Sequence, residues 1–311
     1  MTLVIRVAES DADLEEWRSV RLAVLPHERA RSVKEMRAAA TADTVHLLAT
    51  FDGEVVGSGL SGRSSFGYAG LQPRVVPGMR RRGVGRALLV ALAEHAVGRG
   101  FTEAGSIVED AGSLAFGARF GFREVDRQIE QVRSIGDEPT PVIPDGLTVV
   151  TVAERPDLWP AAYDPFALEA IADMATHRPL VVTREEWEGE WLAWPEGMFL
   201  ALEGDEVVGC AGLEFDPDRP DRSEHAFTAV ARRWRRRGLA TALKRLTLRF
   251  AAEHGIREVY TWTQRDNADM RSVNERLGYR YGNEAITVRG ALPLQFDPSG
   301  APAAEGTGVE G

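Results

Sequence analysis

The 311-residue sequence predicts an α/β protein built as two tandem copies of one fold, each a mostly antiparallel mixed sheet flanked by helices. Three observations predict it. Segments of the first half recur in the second at an almost constant offset. Within each half, short apolar runs of strand character alternate with runs of helical periodicity, the pattern of a sheet with helices packed on it. The halves are joined by a Pro-rich stretch, GDEPTPVIPDG, from Gly136 to Gly146.

In chain order, each half opens on a strand-like segment, VIRVAES from Val4 and VVTVAER from Val149, followed by an acidic stretch containing Trp. Helix-start signals come next. Ser32 with Glu35, and Thr183 with Glu186, fit the capping box, in which a hydroxyl and a carboxylate satisfy the first free amides of a helix. A hairpin follows in each copy, turning at Asp52-Gly53 and at Gly204-Asp205 between apolar strand-like runs. Then VVPGMRRRGVGRALL answers VARRWRRRGLATALK, RGFTEAGSIV answers HGIREVYTWT, and ARFGF answers ERLGY. The offset is 151 at the capping hydroxyls (183 − 32), 155 at the loop glycines (238 − 83) and 157 at the last pair (278 − 121). So slow a drift means one fold written twice. The expected domains are 1–135 and 147–290, with 136–146 as linker; residues 291–311, small, polar and rich in Gly and Pro, are expected to form a disordered tail.

Composition narrows the function. A net charge of −10 argues against nucleic acid, whose phosphates most of the surface would repel. No apolar run approaches membrane-spanning length. The opening MTLVIRVAESDADLEEW has no basic region followed by an apolar one, so no secretory signal is read there, and a reduced, cytoplasmic setting is expected. The single cysteine, Cys210, excludes an internal disulfide and reads as a buried strand residue. The histidines are scattered without metal-ligand spacing, so no metal is expected.

The arginine run Arg235-Arg236-Arg237-Gly238-Leu239-Ala240 precedes a helix whose apolar face is Leu239, Leu243, Leu246 and Phe250. It therefore joins a strand end to a helix N-terminus, where several backbone amides lack partners and the dipole is positive. Small residues at 238 and 240 admit a ligand close to the backbone. With arginines alongside, this makes a site for a pyrophosphate. A solvated basic turn would explain one such loop; two copies in matching strand–loop–helix contexts favour the anion site.

The pattern Gln/Arg-x-x-Gly-x-Gly/Ala after a strand resembles the acetyl-CoA pyrophosphate loop of the GNAT superfamily of N-acetyltransferases. Arg80, Gly83 and Gly85 meet it in the first half, and Arg235, Gly238 and Ala240 in the second. NADMRSVNERLGYR is similar to the superfamily's segment after its fifth strand, with Asn267 at the coenzyme-contacting asparagine and Gly278-Tyr279 closing the helix. EDAGSLAFGARFGF keeps Gly121-Phe122 but has Asp110 or Ala111 at the asparagine. The resemblance covers the chain to about Arg289 and is to two-domain GNAT proteins of the mycothiol synthase kind. It implies acetyl-CoA as cofactor, held in the second half by Val230, Ala231, Arg235, Arg236, Arg237, Gly238, Leu239, Ala240, Thr241, Asn267 and Asn274. In the first half it implies Val75, Val76, Arg80, Arg82, Gly83, Val84, Gly85 and Arg86.

Acetyl transfer to an amine needs a base to free the nitrogen lone pair, and donors for the developing oxyanion. The resemblance puts a glutamate base six residues before the apolar residue that meets the thioester arm. Eight back from each loop glycine stand Val230 and Val75; six further back stand Glu224 and Ala69. Glu224 is the expected base, with Glu214 in reserve, and a solvent-facing strand glutamate as the plain alternative. Many relatives carry a tyrosine acid where this chain has Gly117 and Asn274. Either Tyr279 or Tyr281 replaces it, or solvent protonates the thiolate. Trp187, Trp191 and Trp194 recur at helical spacing after Thr183, a stripe read as core, or as an aromatic wall for the amine.

The leading reading is a small-molecule N-acetyltransferase with catalysis in the second half and a structural first half. The alternative is an acyl-CoA-binding protein without chemistry, and nucleic-acid binding through RRWRRRG stands third. A homodimer is compatible with the sequence.

Overall fold

A computed structural model describes residues 2–296, apart from 27 and 193. The chain divides into two units, one made of Met1–Arg127 with the chain from Ala285 on, the other of Gln128–Glu284.

The first unit runs β1 (Leu3–Val7), α1 (Asp11–Val24), α2 (Val33–Ala38), β2 (Val45–Phe51), β3 (Glu54–Arg63), β4 (Ala69–Val75), α3 (Val84–Gly98), β5 (Glu103–Val108) and α4 (Ala111–Ala118). Its sheet order is β1-β2-β3-β4-β5, completed by the last strand of the chain, β12 (Arg280–Ala291). All neighbours are antiparallel except β4–β5. Leu88 and Leu92 of α3 lie so close to the sheet that a Cβ on Gly57 or Gly59 would stand 3.0 or 3.1 Å from them. That contact, with Leu47, Leu71, Phe101 and Phe122, is the apolar core.

The second unit begins inside β6 (Arg123–Ser134), whose residues from Gln128 on belong to it. It continues through β7 (Thr148–Thr151), α5 (Leu158–Ala161), α6 (Leu168–Ala172), α7 (Arg184–Gly189), β8 (Phe199–Glu203), β9 (Glu206–Phe215), β10 (Arg222–Val230), α8 (Leu239–Glu253), β11 (Glu258–Gln264) and α9 (Ala268–Arg276). Its sheet order is β7-β8-β9-β10-β11-β6, with β10–β11 the parallel pair. The element sequence repeats that of the first unit, and both hairpin turns and both capping boxes stand where the sequence places them. Leu239, Leu243 and Phe250 of α8 are buried against the sheet, as the 4-3-4 spacing predicts.

The two sequence halves and the two spatial units differ at their last strands. The expected bounds of 1–135 and 147–290 assign β6 to the first half and β12 to the second. Instead, Gln128–Ser134 pair with β11 over seven rungs, from Gln128–Gln264 to Ser134–Glu258. Ile286–Ala291 pair with β5. Each strand is long enough to start in one unit and finish in the other, so each copy's closing strand completes the other copy's sheet. The Pro-rich stretch is also tied down: Glu138, its side chain 2% exposed, holds Arg133 at 2.6 Å, and Thr140 accepts from Arg249. The expected tail is ordered where it begins. Leu292 is buried with its N–H on Thr102 O, and Phe296 packs on Phe120 and under Arg86. Residues 297–311 lie outside the described residues.

Candidate functional site

In each unit the two parallel strands part early. β10 and β11 pair only from Arg222–Glu258 to Glu224–Tyr260, and β4 and β5 only at Ala69–Ala104 and Gly70–Gly105. Beyond these rungs lies a gap at the carboxyl ends of the strands, the usual place for a ligand in a sheet of this kind. In β10 a bulge contributes: three steps on β10, His225 to Thr228, face two on β9, Leu213 to Ala211. A bulge bends its strand and tightens the local twist. Past it, Ala231 N–H donates to Val208 O on the β9 side, so strand alternation turns the Val230 N–H toward the gap.

The two loops after the parallel strands share one backbone conformation. Arg80 and Arg235 have φ/ψ of −65/160 and −64/157, and each sends its Nε to the carbonyl five residues back, Val75 at 3.2 Å and Val230 at 2.9 Å. Arg81 and Arg236 are left-handed at φ 64 and 62. Gly83 and Gly238 follow at φ 84 and 82, a region that costs a side chain roughly 1–2 kcal/mol. Such left-handed strain in non-glycine residues gathers where function requires the shape. Most telling are the helix starts. α1, α2, α4, α7 and α9 each begin on a side-chain cap; the short α5 and α6 begin without one, and so do the two long helices α3 and α8, which alone among the described helices begin on glycine. The first amides of α3 and α8 therefore have no side-chain acceptor, the arrangement in which a helix start can take an anion. At the third loop position, a Cβ on Gly85 would make only ordinary contacts, and Ala240 carries one, so smallness suffices there.

The loops differ in electrostatics. In the second unit Asp173, after α6, binds Arg232 at 2.5 Å and Arg235 at 2.6 Å, and the Arg232 hydrogen bond leads in holding its carboxyl far below the usual range. Glu169 accepts from the Arg232 N–H, Arg233 pairs with Glu206 and Glu203, and Arg236 pairs with Asp269. Arg237 stacks on Trp234. The RRWRRRG run is thus laced with carboxylates rather than presented as a basic face. In the first unit Arg82 and Arg86 lie over the rings of Phe51 and Phe296.

Glu224 occupies the last paired rung before the β10–β11 gap, half-buried, opposite Glu214 on β9 and Tyr260 on β11. Two residues earlier on the same face, Arg222 spans Tyr260 at 3.9 Å, Glu258 at 2.6 Å and the buried Glu130 at 2.9 Å. Pairing with the preceding strand makes Gly70, opposite Gly62, the counterpart of Glu224, opposite Glu214; counting from the loop gave Ala69, and the bulge accounts for the slip. Neither has a carboxyl group.

Of the remaining candidates, Asn267 spends its Oδ1 capping α9, on the Met270 N–H 3.2 Å away. Asn274, on α9, is fully buried, its Nδ2 on Gln131 Oε1 at 2.8 Å and Thr263 Oγ1 at 3.3 Å. Tyr279 is buried in the core with its hydroxyl pushed up by burial, and Tyr281 is half-exposed, its hydroxyl bonded to Glu275, which raises it. The tryptophan stripe does not form: α7 ends at Gly189, so Trp191 and Trp194 lie beyond the helix. Trp187 is core, stacked at 3.9 Å on Trp159, each indole N–H donating to the other's carbonyl. Cys210 is buried and its thiol is pushed up to about 12.

Sequence reasoning missed two groups. One is Glu130 and Gln131 of β6, because no local signal says that this strand serves the other copy's sheet. The other flanks the β4–β5 gap. Arg74, on β4 beyond the last rung, is lowered by burial to about 10, and its Nε has no partner among the described residues. Glu28, raised chiefly by burial and by Glu109, is held by Arg21 at 2.7 Å. Glu28, from a loop, and Glu109, just after β5, therefore gather beside Arg74, which stands beyond the last β4–β5 rung.

The model of the acetyltransferase (GNAT) family matches residues 11–122 and again 162–279. The N-alpha-acetyltransferase 30 of Schizosaccharomyces pombe is 33% identical over 88 residues, 28% of this chain and 59% of that enzyme. The mycothiol acetyltransferase of Geodermatophilus obscurus is 27% identical over 251 residues, 73% of this chain and 76% of that one. Among solved structures, a tandem GNAT protein from the clavulanic acid biosynthesis pathway aligns with a TM-score of 0.75 at 21% identity, over 93% of this chain and 98% of that one. That likeness is one of fold.

Proposed function

The chain belongs to the GNAT acetyltransferase family as a tandem protein with two GNAT folds, and from that premise we propose that it moves an acetyl group from acetyl-CoA to the primary amine of a small molecule, with the chemistry in the second unit. The observation that supports this most is the pair of uncapped helix starts, α3 and α8, behind loops of one conformation, joined in the second unit alone to a strand carboxylate at the mouth of the gap. Acetyl-CoA supplies a thioester whose carbonyl is the electrophile. The amides opening α8 and the side chains of Arg235 and Arg237 hold its diphosphate. Glu224, at the last rung, takes the proton from the ammonium of the acceptor and so frees the lone pair that attacks. The Val230 N–H, turned to the gap, donates to the oxygen on which negative charge builds. As the carbonyl re-forms the C–S bond breaks, the nitrogen gives up its second proton to solvent, and coenzyme A leaves as a thiolate that solvent protonates. The first unit, with no carboxylate on its own strand at that rung, acts as a scaffold that contributes β6 to the second.

The carboxylates around Arg232 and Arg235 favour a second reading, in which the second loop is held shut and the protein binds acyl-CoA without turning it over. One experiment separates the two: release of coenzyme A thiol over a panel of amino sugars, aminoglycosides and amino-acid derivatives, with the parent and Glu224→Gln. The proposal expects turnover with some amine and a loss of about 10²–10⁴ in kcat/KM in the variant, with acetyl-CoA binding unchanged. Binding without turnover of any amine by the parent would establish the second reading.

A further inference from the structure

The second unit contains two buried polar atoms with no partner among the described residues, Asn274 Oδ1 on α9 and Thr228 Oγ1 on β10. Buried polar groups are nearly always satisfied, so each of these orphans needs a reason. The orientation of the Asn274 carboxamide is fixed by its surroundings. Gln131, fully buried on β6, sends its Nε2 to the Arg271 carbonyl, which can only accept. Gln131 therefore turns its Oε1 to Asn274, and Asn274 must answer with its NH₂, which it shares with Thr263 of β11. An amide's oxygen and nitrogen lie on opposite edges. With the nitrogen drawn toward β6 and β11, the oxygen is turned away from both. Thr228 stands on β10, the strand that parts from β11, beyond the bulge and opposite Ala211. It looks to the same face of the sheet as Gly209, whose Cβ position is 3.1 Å from Leu243 of α8.

We infer that Gln131, carried by the closing strand of the first copy, is a positioning residue for the second unit's site: it locks Asn274 with its carbonyl oxygen in the gap, as the acceptor for an amide N–H of the acyl-coenzyme arm. The inference rests on the proposed function above. Thr228 supplies the complementary hydroxyl, so the two sides of the gap offer an acceptor and a donor to a chain of secondary amides. The same lock has a chemical consequence. A carbonyl oxygen repels a thiolate, so Asn274 does not serve as a donor to the departing sulfur.

The test uses the full-length protein and three ligands: acetyl-CoA and two analogues, each with one of the arm's two amide N–H groups replaced by an ester oxygen. Binding at the second unit is read from the indole N–H signal of Trp234, beside the loop, in ¹⁵N-labelled protein. The parent is expected to bind one analogue about tenfold more weakly than acetyl-CoA, the effect of one hydrogen bond. Gln131→Leu frees the carboxamide to turn; it is expected to bind acetyl-CoA about tenfold more weakly and to treat that analogue alike. Gln131→Glu still accepts from Asn274 and restores the discrimination. A parent that binds acetyl-CoA and both analogues equally, or a Gln131→Leu protein that discriminates as the parent does, overturns the inference and leaves the proposed function standing. A parent that binds none of the three overturns both. Gln131→Met, closer in shape and without a strong acceptor, takes the leucine variant's place, with the same two outcomes, if that protein fails to fold.

Discussion

Asp173 sets up a competition that can be measured. Its carboxylate grips Arg232 at 2.5 Å and Arg235 at 2.6 Å, and the second of these arginines leads the loop that opens α8. A diphosphate at that loop must draw Arg235 away from Asp173 and must settle beside the negative charge. Asp173→Asn keeps the shape and removes both obstacles. The side chains of Arg232 and Arg235 are 60% and 41% exposed, so solvent screens the pairs heavily, and each is expected to shift an equilibrium by no more than about fivefold. With both pairs weakened and the repulsion gone, acetyl-CoA is expected to bind the variant about three- to tenfold more tightly at the second unit. The advantage should shrink as salt is raised from 50 to 500 mM, since screening already discounts the same charges in the parent. Titration calorimetry of both proteins at the two salt concentrations gives the numbers. Equal or weaker binding by Asp173→Asn would refute the reasoning, and would mean that Asp173 holds the arginines ready rather than competing for them.

The remaining predictions separate the two units and probe the core. At Gly238 and Gly83 a Cβ meets nothing within 4 Å, so alanine costs only backbone strain, roughly 1–2 kcal/mol at φ above 80°. Gly238→Ala is expected to lower kcat/KM at least tenfold and Gly83→Ala to leave it within about twofold; the reverse pattern in steady-state assays would move the chemistry to the first unit. Lys244 of α8 is buried beside the Tyr279 ring at 5.7 Å, and burial brings its ammonium down to about 7. Unfolded lysine keeps its proton to about 10.4, so between pH 7 and 10 the unfolded chain binds more protons than the folded one. Stability is therefore expected to fall as pH drops from about 10 to about 7 and to level off below, where both states hold the proton. Lys244→Met, close in volume and uncharged, is expected to be the more stable protein at pH 6 and to lose that slope; urea midpoints at pH 6, 7.5 and 9 that run parallel for the two proteins would contradict this.

What could be read from the sequence was what near neighbours decide. The capping boxes at Ser32 and Thr183, the turns at Asp52-Gly53 and Gly204-Asp205, and the two arginine-glycine loops are each settled within five or six residues, so their motifs carry the geometry with them. Reading failed where a distant partner or a local break decides. Trp187, Trp191 and Trp194 keep a helical count, but Gly189 and the following bend end the helix after the first of them. Counting residues carried Glu224 onto Ala69 because a bulge adds one residue to β10 without any mark in composition. The hydrogen-bond partner that fixes Asn274 stands 143 positions away, on a strand whose own pattern says only that it is a strand.

That last distance bears on why the first copy is retained although its own strand has no carboxylate at the gap. A duplicated fold could let one copy drift freely if each copy closed its own sheet. Here the seven rungs from Gln128–Gln264 to Ser134–Glu258 make the first copy's closing strand the outer neighbour of β11. Without it β11 would be an open edge, with unpaired main-chain groups along its length. The same segment carries Glu130, which neutralises the buried Arg222 beneath Glu224, and Gln131, which orients Asn274. Breaking a buried ion pair by losing one partner is far costlier than never having had it. Drift in β6 is therefore limited by the second unit's needs, whatever chemistry the first unit's loop and gap perform.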